Sequence, residues 1–150
     1  MKLDALAQFC NGLSVTATAV ATDYMTRPTT TNTLAGVFNS DDPIYMGIVI
    51  TEAFATATSV EFALQSDSTA NLATAPNQHA TTGTVAIAAL IVCATFYIPV
   101  SYAHICKNFI GVKAIVTGSS ATTGKYTAFL TTNHPSFKPY VVPYFNKTGR

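Results

Sequence analysis

The amino-acid sequence predicts an all-β protein: an antiparallel β-sandwich of jelly-roll type, with seven or eight strands and extended N- and C-terminal arms. Val, Ile, Thr, Phe and Tyr together number 61, whereas Leu, Met, Glu, Gln, Lys and Arg number 24. β-Branched and aromatic side chains lose rotamer freedom in a helix but pack well on a pleated sheet. Short apolar or alternating runs, separated by turn residues, support the same fold class.

Seven runs are predicted as strands. The clearest is residues 59–65, where large apolar side chains occupy every second position. The others are residues 13–21, 44–54, 84–90, 95–101, 109–117 and 125–132. Gly118 and Gly124 bound the loop between the last two strands, and glycine tolerates the positive φ that such a loop requires. Residues 3–9 could form two helical turns.

Charged side chains make up only 10% of the 150 residues, against roughly 25% in an ordinary soluble domain. With 24 Thr and 22 Ala, much of the polar surface must come from threonine. The eight Lys and Arg are scattered along the chain, so no basic stripe favours a nucleic-acid partner. The longest apolar run, residues 85–94, is shorter than the roughly 20 residues that a membrane-spanning helix needs, and no membrane partner is expected.

The cysteines, Cys10, Cys93 and Cys106, are odd in number and lack the spacing of a zinc site. We expect them to be buried free thiols, as free cysteines usually are. No secretory signal sequence is recognisable at the N-terminus. A reducing cytoplasm is therefore the expected place of assembly.

The histidines His79, His104 and His134 are predicted in loops with no shared spacing, where such side chains are usually solvated rather than metal-bound. Asp41 and Asp42 precede a proline and suit a turn better than a calcium site. We therefore expect no metal ion and no cofactor.

Glu52 and Glu61 are the strongest candidates for catalysis. If a four-residue hairpin loop covers residues 55–58, the two carboxylates lie opposite each other on neighbouring strands. Retaining glycosidases hold two carboxyl groups about 5–5.5 Å apart. The alternatives are a bulge that changes the register, a solvent-facing glutamate, or a pairing with lysine. Since the chain has no tryptophan to bind sugar, we expect no enzyme here.

Three stretches depart from the sandwich pattern. Residues 22–40 and 66–83 are long polar connections, which are usually functional or disordered. At the C-terminus, prolines alternate with aromatic residues, so this segment suits neither a central strand nor a free tail. We therefore divide the chain into a sandwich domain with an N-terminal arm, residues 1–134, and a C-terminal arm, residues 135–150. The apolar and aromatic residues of the arms are our candidates for contacts between subunits or with a capsid: Leu3, Leu6, Phe9, Phe137, Tyr140, Tyr144 and Phe145.

Nine segments, in their order along the chain, resemble the capsid cement, or decoration, proteins of tailed bacteriophages. They are residues 3–6, 15–19, 49–54, 60–67, 90, 96–100, 109–112, 116–118 and 123–128. Each segment alone is a weak signal, but their order and spacing over residues 1–132 make the match specific. Two departures are Cys93, where the family tends to have glycine, and Ala114, where it tends to have tyrosine.

The resemblance implies a jelly-roll subunit that binds the outer surface of an assembled icosahedral shell and bridges neighbouring major capsid proteins. Its expected partners are the major capsid protein and further copies of itself, as a dimer or a trimer on symmetry axes. Its expected location is the outer surface of the virion.

Two other functions stay open at this point. One is a carbohydrate-binding or tail-associated recognition sandwich, with tyrosines as sugar platforms at Tyr24, Tyr45, Tyr102 or Tyr140. The other is a small hydrolase built on Glu52 and Glu61.

Overall fold

The structure is a computed structural model, and it describes residues 8–26, 43–101 and 106–132. These residues form ten strands and a short 3-10 helix, Ile87–Ala89. The strands are β1 Gln8–Ser14, β2 Ala19–Val20, β3 Met25–Thr26, β4 Tyr45–Ala55, β5 Ser59–Asp67, β6 Asn77–Thr81, β7 Val85–Ala86, β8 Thr95–Pro99, β9 Phe109–Thr117 and β10 Thr123–Thr131.

The strands form two antiparallel sheets. The four-stranded sheet has the order β1-β10-β4-β8, and the six-stranded sheet has the order β2-β9-β5-β6. The short strand β3 follows β2 along the same edge of β9. The short strand β7 likewise follows β6 along the same edge of β5. The described part of the chain has eight strands if β2 and β3 are counted as one strand and β6 and β7 as another. In that order β1 pairs with β10, β2 and β3 with β9, β4 with β8, and β5 with β6 and β7. This nested pairing across two sheets is jelly-roll connectivity, so the predicted fold class is confirmed.

The core lies between the sheets, because alternate residues of each central strand point to the same side. The four-stranded sheet contributes Met46, Ile48 and Ile50 from β4, and Tyr126, Ala128 and Leu130 from β10. The six-stranded sheet contributes Val60, Phe62 and Leu64 from β5, and Ile110, Val112 and Ala114 from β9. The rings of Phe62 and Tyr126 meet across the sheets with centroids 4.8 Å apart.

The first predicted strand, residues 13–21, is wrong in its bounds. The chain instead forms β1 and then the short β2, and Gly12 lies at an irregularity within β1. Between Cys10 and Leu13 the pairing of β1 with β10 shifts register, and Gly12 has a φ of 62°. This bulge lets β1 stay paired with β10 across the glycine.

The predicted strands at residues 44–54, 59–65, 95–101, 109–117 and 125–132 correspond to β4, β5, β8, β9 and β10. Gly118 and Gly124 both have positive φ, at 87° and 141°, as predicted. The prediction for residues 84–90 is wrong beyond Ala86, where the 3-10 helix replaces the strand. The prediction of helical turns over residues 3–9 is wrong for Gln8 and Phe9, which lie in β1; the rest of that segment lies outside the described residues.

Candidate functional site

Glu52 on β4 forms an ion pair with Lys125 on β10. The two residues are register partners, and Lys125 Nζ lies 2.6 Å from Glu52 Oε2. Both side chains are more than two-fifths exposed. The pairing of β10 with β4 shifts register between Lys125 and Tyr126, which changes the in-and-out alternation of the β4 side chains next to Glu52. Glu52 therefore lies on the surface beside Lys125. The lysine alternative for Glu52 is therefore the correct one.

Glu61 lies in the other sheet, on β5, where its Oε1 accepts a hydrogen bond of 2.7 Å from Thr81 Oγ1. Strands β4 and β5 are consecutive in sequence but belong to different sheets. The prediction that Glu52 and Glu61 face each other on neighbouring strands is therefore wrong. The physical reason is that the connection after β4 crosses the sandwich instead of closing a hairpin.

Asp67, at the end of β5, organises the following connection. Its carboxylate accepts hydrogen bonds from the backbone N–H of Ser68 at 2.6 Å and of Thr74 at 2.8 Å, and also from that of Ala75. Burial by itself raises the pKa of Asp67, but the hydrogen bonds from Thr74, Ser68 and Ala75 outweigh it and hold the pKa below its usual value. The ionised carboxylate is thus a structural anchor for residues 68–75.

The connection anchored by Asp67 folds onto the outer face of the six-stranded sheet. Leu72 is fully buried although it has a φ of 49°, and a Cβ at Gly111 would lie 3.2 Å from its Cδ1. From β9 and the residues before it, Lys113 and Lys107 donate from Nζ to the carbonyl oxygens of Leu72 and Ala75. The polar excursion predicted at residues 66–83 is therefore packed on the sheet, and it continues into β6.

Ser66 and His79 form a buried pair that the sequence did not predict. Ser66 Oγ lies 2.7 Å from His79 Nε2, and the backbone N–H of Lys107 donates to the same oxygen at 3.0 Å. Both side chains are at most 2% exposed. The prediction of a solvated loop position is wrong for His79, which lies in β6; His104 and His134 lie outside the described residues. The buried side chains of Ser66 and His79 link β5, β6 and the residues just before β9. Almost no part of them is exposed to a substrate.

The cysteines divide into two environments. Cys10 and Cys106 are buried free thiols, as predicted, and burial raises the pKa of the Cys10 thiol. Cys93 is exposed, so the prediction is wrong there. It lies in a turn before β8 with a φ of 66°, in the left-handed region that favours glycine. This is the position at which the resembling family tends to have glycine.

Residues 90–94, here called the apolar turn, carry two large exposed apolar side chains. Ile91 is 61% exposed and Val92 is 52% exposed. Their exposure was not predicted, because they belong to the longest apolar run of the chain, and such a run is typical of a buried strand.

The candidate sugar platforms within the described residues, Tyr24 and Tyr45, are associated with different sheets. Tyr24 is 49% exposed and packs edge-on against Phe109 beside the six-stranded sheet. Tyr45 lies in β4 of the four-stranded sheet. Tyr102 and Tyr140 lie outside the described residues.

Of the predicted contact residues, only Phe9 lies within the described part of the chain. It is 1% exposed and belongs to the core, so its side chain has almost no exposed surface with which to contact a partner. The other six candidates lie outside the described residues: Leu3, Leu6, Phe137, Tyr140, Tyr144 and Phe145. The acidic turn at Asp41 and Asp42 also lies outside them.

The described ranges contain no group of three or more His, Cys, Asp or Glu side chains placed to hold a metal ion. Within the same ranges, no helix has the length and hydropathy of a membrane-spanning segment. The acidic side chains of Glu52, Glu61 and Asp67 and the buried side chains of Ser66 and His79 each have a structural partner.

Two antiparallel sheets with jelly-roll connectivity define the described part of the chain as an all-β sandwich. The chain belongs to the Bbp16 family, whose model matches residues 9–130. The matched segment starts in β1 and ends in β10, so the family is defined over the whole sandwich. Comparison with curated proteins found no match.

Proposed function

We propose that this protein is a structural virion protein of a tailed bacteriophage, which binds the outer surface of the assembled capsid and cements neighbouring major capsid proteins. The observation that carries the proposal is where the resembling segments fall. Five of them coincide with strands, since residues 49–54 lie in β4, 60–67 in β5, 96–100 largely in β8, 109–112 in β9 and 123–128 in β10. The resemblance thus follows the architecture of the sandwich and supports a shared role.

The surface chemistry suits a subunit that its neighbours cover. Only 15 of 150 residues are charged, as eight basic and seven acidic side chains. Burying a charge is costly unless it is paired, whereas hydroxyl and amide groups lose less when they leave water with a hydrogen-bond partner. A threonine-rich face can therefore contact a shell over a wide area without a large desolvation penalty.

The proposed mechanism involves no bond making or breaking. A protein that binds the assembled shell, but neither the dissociated coat subunits nor an earlier shell, stabilises the assembled state by mass action. Each copy contributes a modest free energy, and the many copies on a shell act together. The protein's partners in this proposal are the major capsid protein and other copies of itself in a closed symmetric oligomer.

The arms are the proposed elements that reach across seams between capsid subunits. Leu3 and Leu6 in the N-terminal arm, and the aromatic residues of the C-terminal arm, would bury apolar surface on a neighbour, in part as an added strand. Assembly in the host cytoplasm agrees with the free thiols at Cys10 and Cys106.

Purified protein added to shells that lack it tests the proposal. We expect bound copies at symmetry-related positions on the outer surface in a cryo-electron microscopy reconstruction, and a higher dissociation temperature of the decorated shells. Shells that neither bind the protein nor gain stability would overturn the proposal. Binding on a glycan array without affinity for shells would favour the carbohydrate-recognition alternative instead.

A further inference from the structure

The apolar turn, residues 90–94, is an unusual surface feature of the sandwich. Among the described residues, the exposed large hydrophobic side chains are those of Tyr24, Ile91 and Val92. Two of the three are adjacent in this turn, and the small residues Cys93 and Ala89 beside them are also exposed. Single exposed apolar residues need no explanation, whereas a contiguous exposed apolar group is a candidate contact site.

The apolar turn is held in one conformation by the neighbouring strand β4. The backbone N–H of Cys93 donates to the carbonyl of Ile50 at 2.8 Å, and the N–H of Ile50 donates to the carbonyl of Ala94 at 2.9 Å. A bond of 3.0 Å from Ala94 N to Ile91 O closes the turn itself. Leu90 at its base is fully buried. Because the turn is already ordered, it loses little conformational entropy when a partner binds.

The sequence around the turn carries no formal charge. No Asp, Glu, Lys or Arg occurs between Asp67 and Lys107. A charged or strongly polar partner surface would leave unpaired groups buried against Ile91 and Val92, which is costly. The complementary surface is therefore apolar and uncharged.

The turn by itself is too small to hold two copies of the chain together. A stable interface buries about 800 Å² on each partner, far more than two aliphatic side chains supply. The turn can therefore act only as an anchor within a larger contact, and weak contacts of this kind strengthen one another where many are made together. A shell of identical coat subunits provides such repetition.

We propose that the apolar turn is a docking anchor, with Ile91 and Val92 inserted into an uncharged apolar pocket on the major capsid protein. This proposal rests on the proposed function. Cys93 lies beside both side chains and gives the turn a built-in reporter. The other two cysteines of the chain are buried, so a maleimide reagent added to the folded protein modifies Cys93 selectively.

The test measures the rate of maleimide modification of Cys93 in the free protein and on empty shells assembled from the major capsid protein. With binding sites at about ten times the dissociation constant, nine in ten molecules are bound, and we expect the rate to fall about tenfold. The variant Cys93→Gly, which suits the positive φ, identifies any modification elsewhere. Shell-bound protein that reacts at the free rate would overturn the proposal, as would protection of Cys93 in the free oligomer.

A pair of matched variants gives a second measurement. Ile91→Asp with Val92→Asp should weaken shell binding by about a hundredfold or more, since it removes the burial of two aliphatic side chains. Ser119→Asp with Ser120→Asp adds the same charge to another exposed loop, and we expect its binding to stay close to wild type. Equal losses in both variants would show a general effect of charge and overturn the anchor. If the wild type fails to bind shells at all, the proposed function itself fails, and the anchor fails with it.

Discussion

Gly47 on β4 lies directly opposite Phe129 on β10, and the phenylalanine ring covers the glycine on the outer face of the four-stranded sheet. A Cβ added to Gly47 would lie 2.5 Å from two ring atoms of Phe129. Phe129 is 1% exposed and also contacts Tyr97 edge-on, with centroids 6.1 Å apart. The outer face of this sheet thus has its own packed aromatic contact, separate from the core.

Gly47→Ala should therefore destabilise the protein. Forcing a methyl group against a packed ring typically costs about 1–3 kcal/mol, and chemical denaturation measures the change in the free energy of unfolding. In the double variant Gly47→Ala with Phe129→Leu, the smaller side chain relieves the clash, so the combined loss should be smaller than the sum of the two single losses. Additive losses would mean that the glycine is needed for a reason other than Phe129.

The hydroxyl of Tyr126 is a second packing feature with a measurable consequence. It is buried in the core beside the Cys10 thiol, and no hydrogen bond of good geometry reaches it among the described residues. Burial, together with the neighbouring Cys10 thiol, raises the pKa of this hydroxyl above its usual value. A buried polar group without a partner loses its hydration and gains nothing in return.

We expect Tyr126→Phe to leave the free energy of unfolding unchanged or to raise it by up to about 1 kcal/mol. Phe62→Ala, which removes the ring that faces Tyr126, should lower it by about 3–5 kcal/mol and serves as the control for core packing. A loss above about 1 kcal/mol in Tyr126→Phe would indicate that the hydroxyl is bonded in solution.

The sequence predicted the central strands well because their burial follows directly from side-chain type. β4, β9 and β10 are rich in β-branched and aromatic residues, which fit a pleated, half-buried surface. β5 instead has large apolar side chains at every second position. The polar strand β6 was missed because Asn77, Gln78 and His79 have no strand preference of their own. Pairing with β5 and the hydrogen bond between Ser66 and His79 hold it in the sheet.

The local hydrophobic pattern of the sequence also does not indicate which of the two sheets a strand joins. β4 and β5 have the spacing of a hairpin, yet they lie in opposite sheets. The consequence was a false pair of carboxylates at Glu52 and Glu61. A pairing with lysine was one alternative, but the local pattern did not identify the partner as Lys125, 73 positions further along the chain from Glu52. Contacts of this range depend on how the strands are wound and not on local periodicity.

Asp67 predicts a specific dependence of stability on pH. Because its pKa in the folded protein lies below the ordinary value of 3.8, the ionised carboxylate contributes stability that is present above pH 3.8 and is lost as the pH falls through the folded pKa. The variant Asp67→Asn keeps one acceptor oxygen but does not titrate. It should be less stable than the wild type at neutral pH, and the difference should narrow below pH 3.8.

Unfolding curves recorded from pH 7 downward measure that difference. Asp23→Asn is the matched control for the loss of one carboxylate, because Asp23 is an exposed acidic residue of the described chain. A gap between wild type and Asp67→Asn that stays constant to low pH would contradict the anchoring role of the ionised Asp67.

The ion pair between Glu52 and Lys125 should contribute little. Exposed pairs are typically worth about 0.2–1 kcal/mol, so Glu52→Gln and Lys125→Gln should each lower the free energy of unfolding by no more than that. The coupling energy from the double variant should shrink as salt is added. If Glu52→Gln abolished a measurable activity while the fold stayed intact, the hydrolase alternative would return.

Removal of the C-terminal arm separates folding from decoration. All ten described strands end by Thr131, so deleting residues 135–150 should leave a soluble, folded sandwich, as judged by circular dichroism and a cooperative unfolding transition. It should no longer bind shells in a sedimentation assay, since the deletion removes Phe137, Tyr140, Tyr144 and Phe145. Deleting only residues 146–150 removes none of these aromatic side chains, and we expect that shorter protein to bind as the full chain does. Normal binding and protection of shells by the longer deletion would contradict the proposed role of the arm and leave the sandwich, with its apolar turn, as the part that holds the shell.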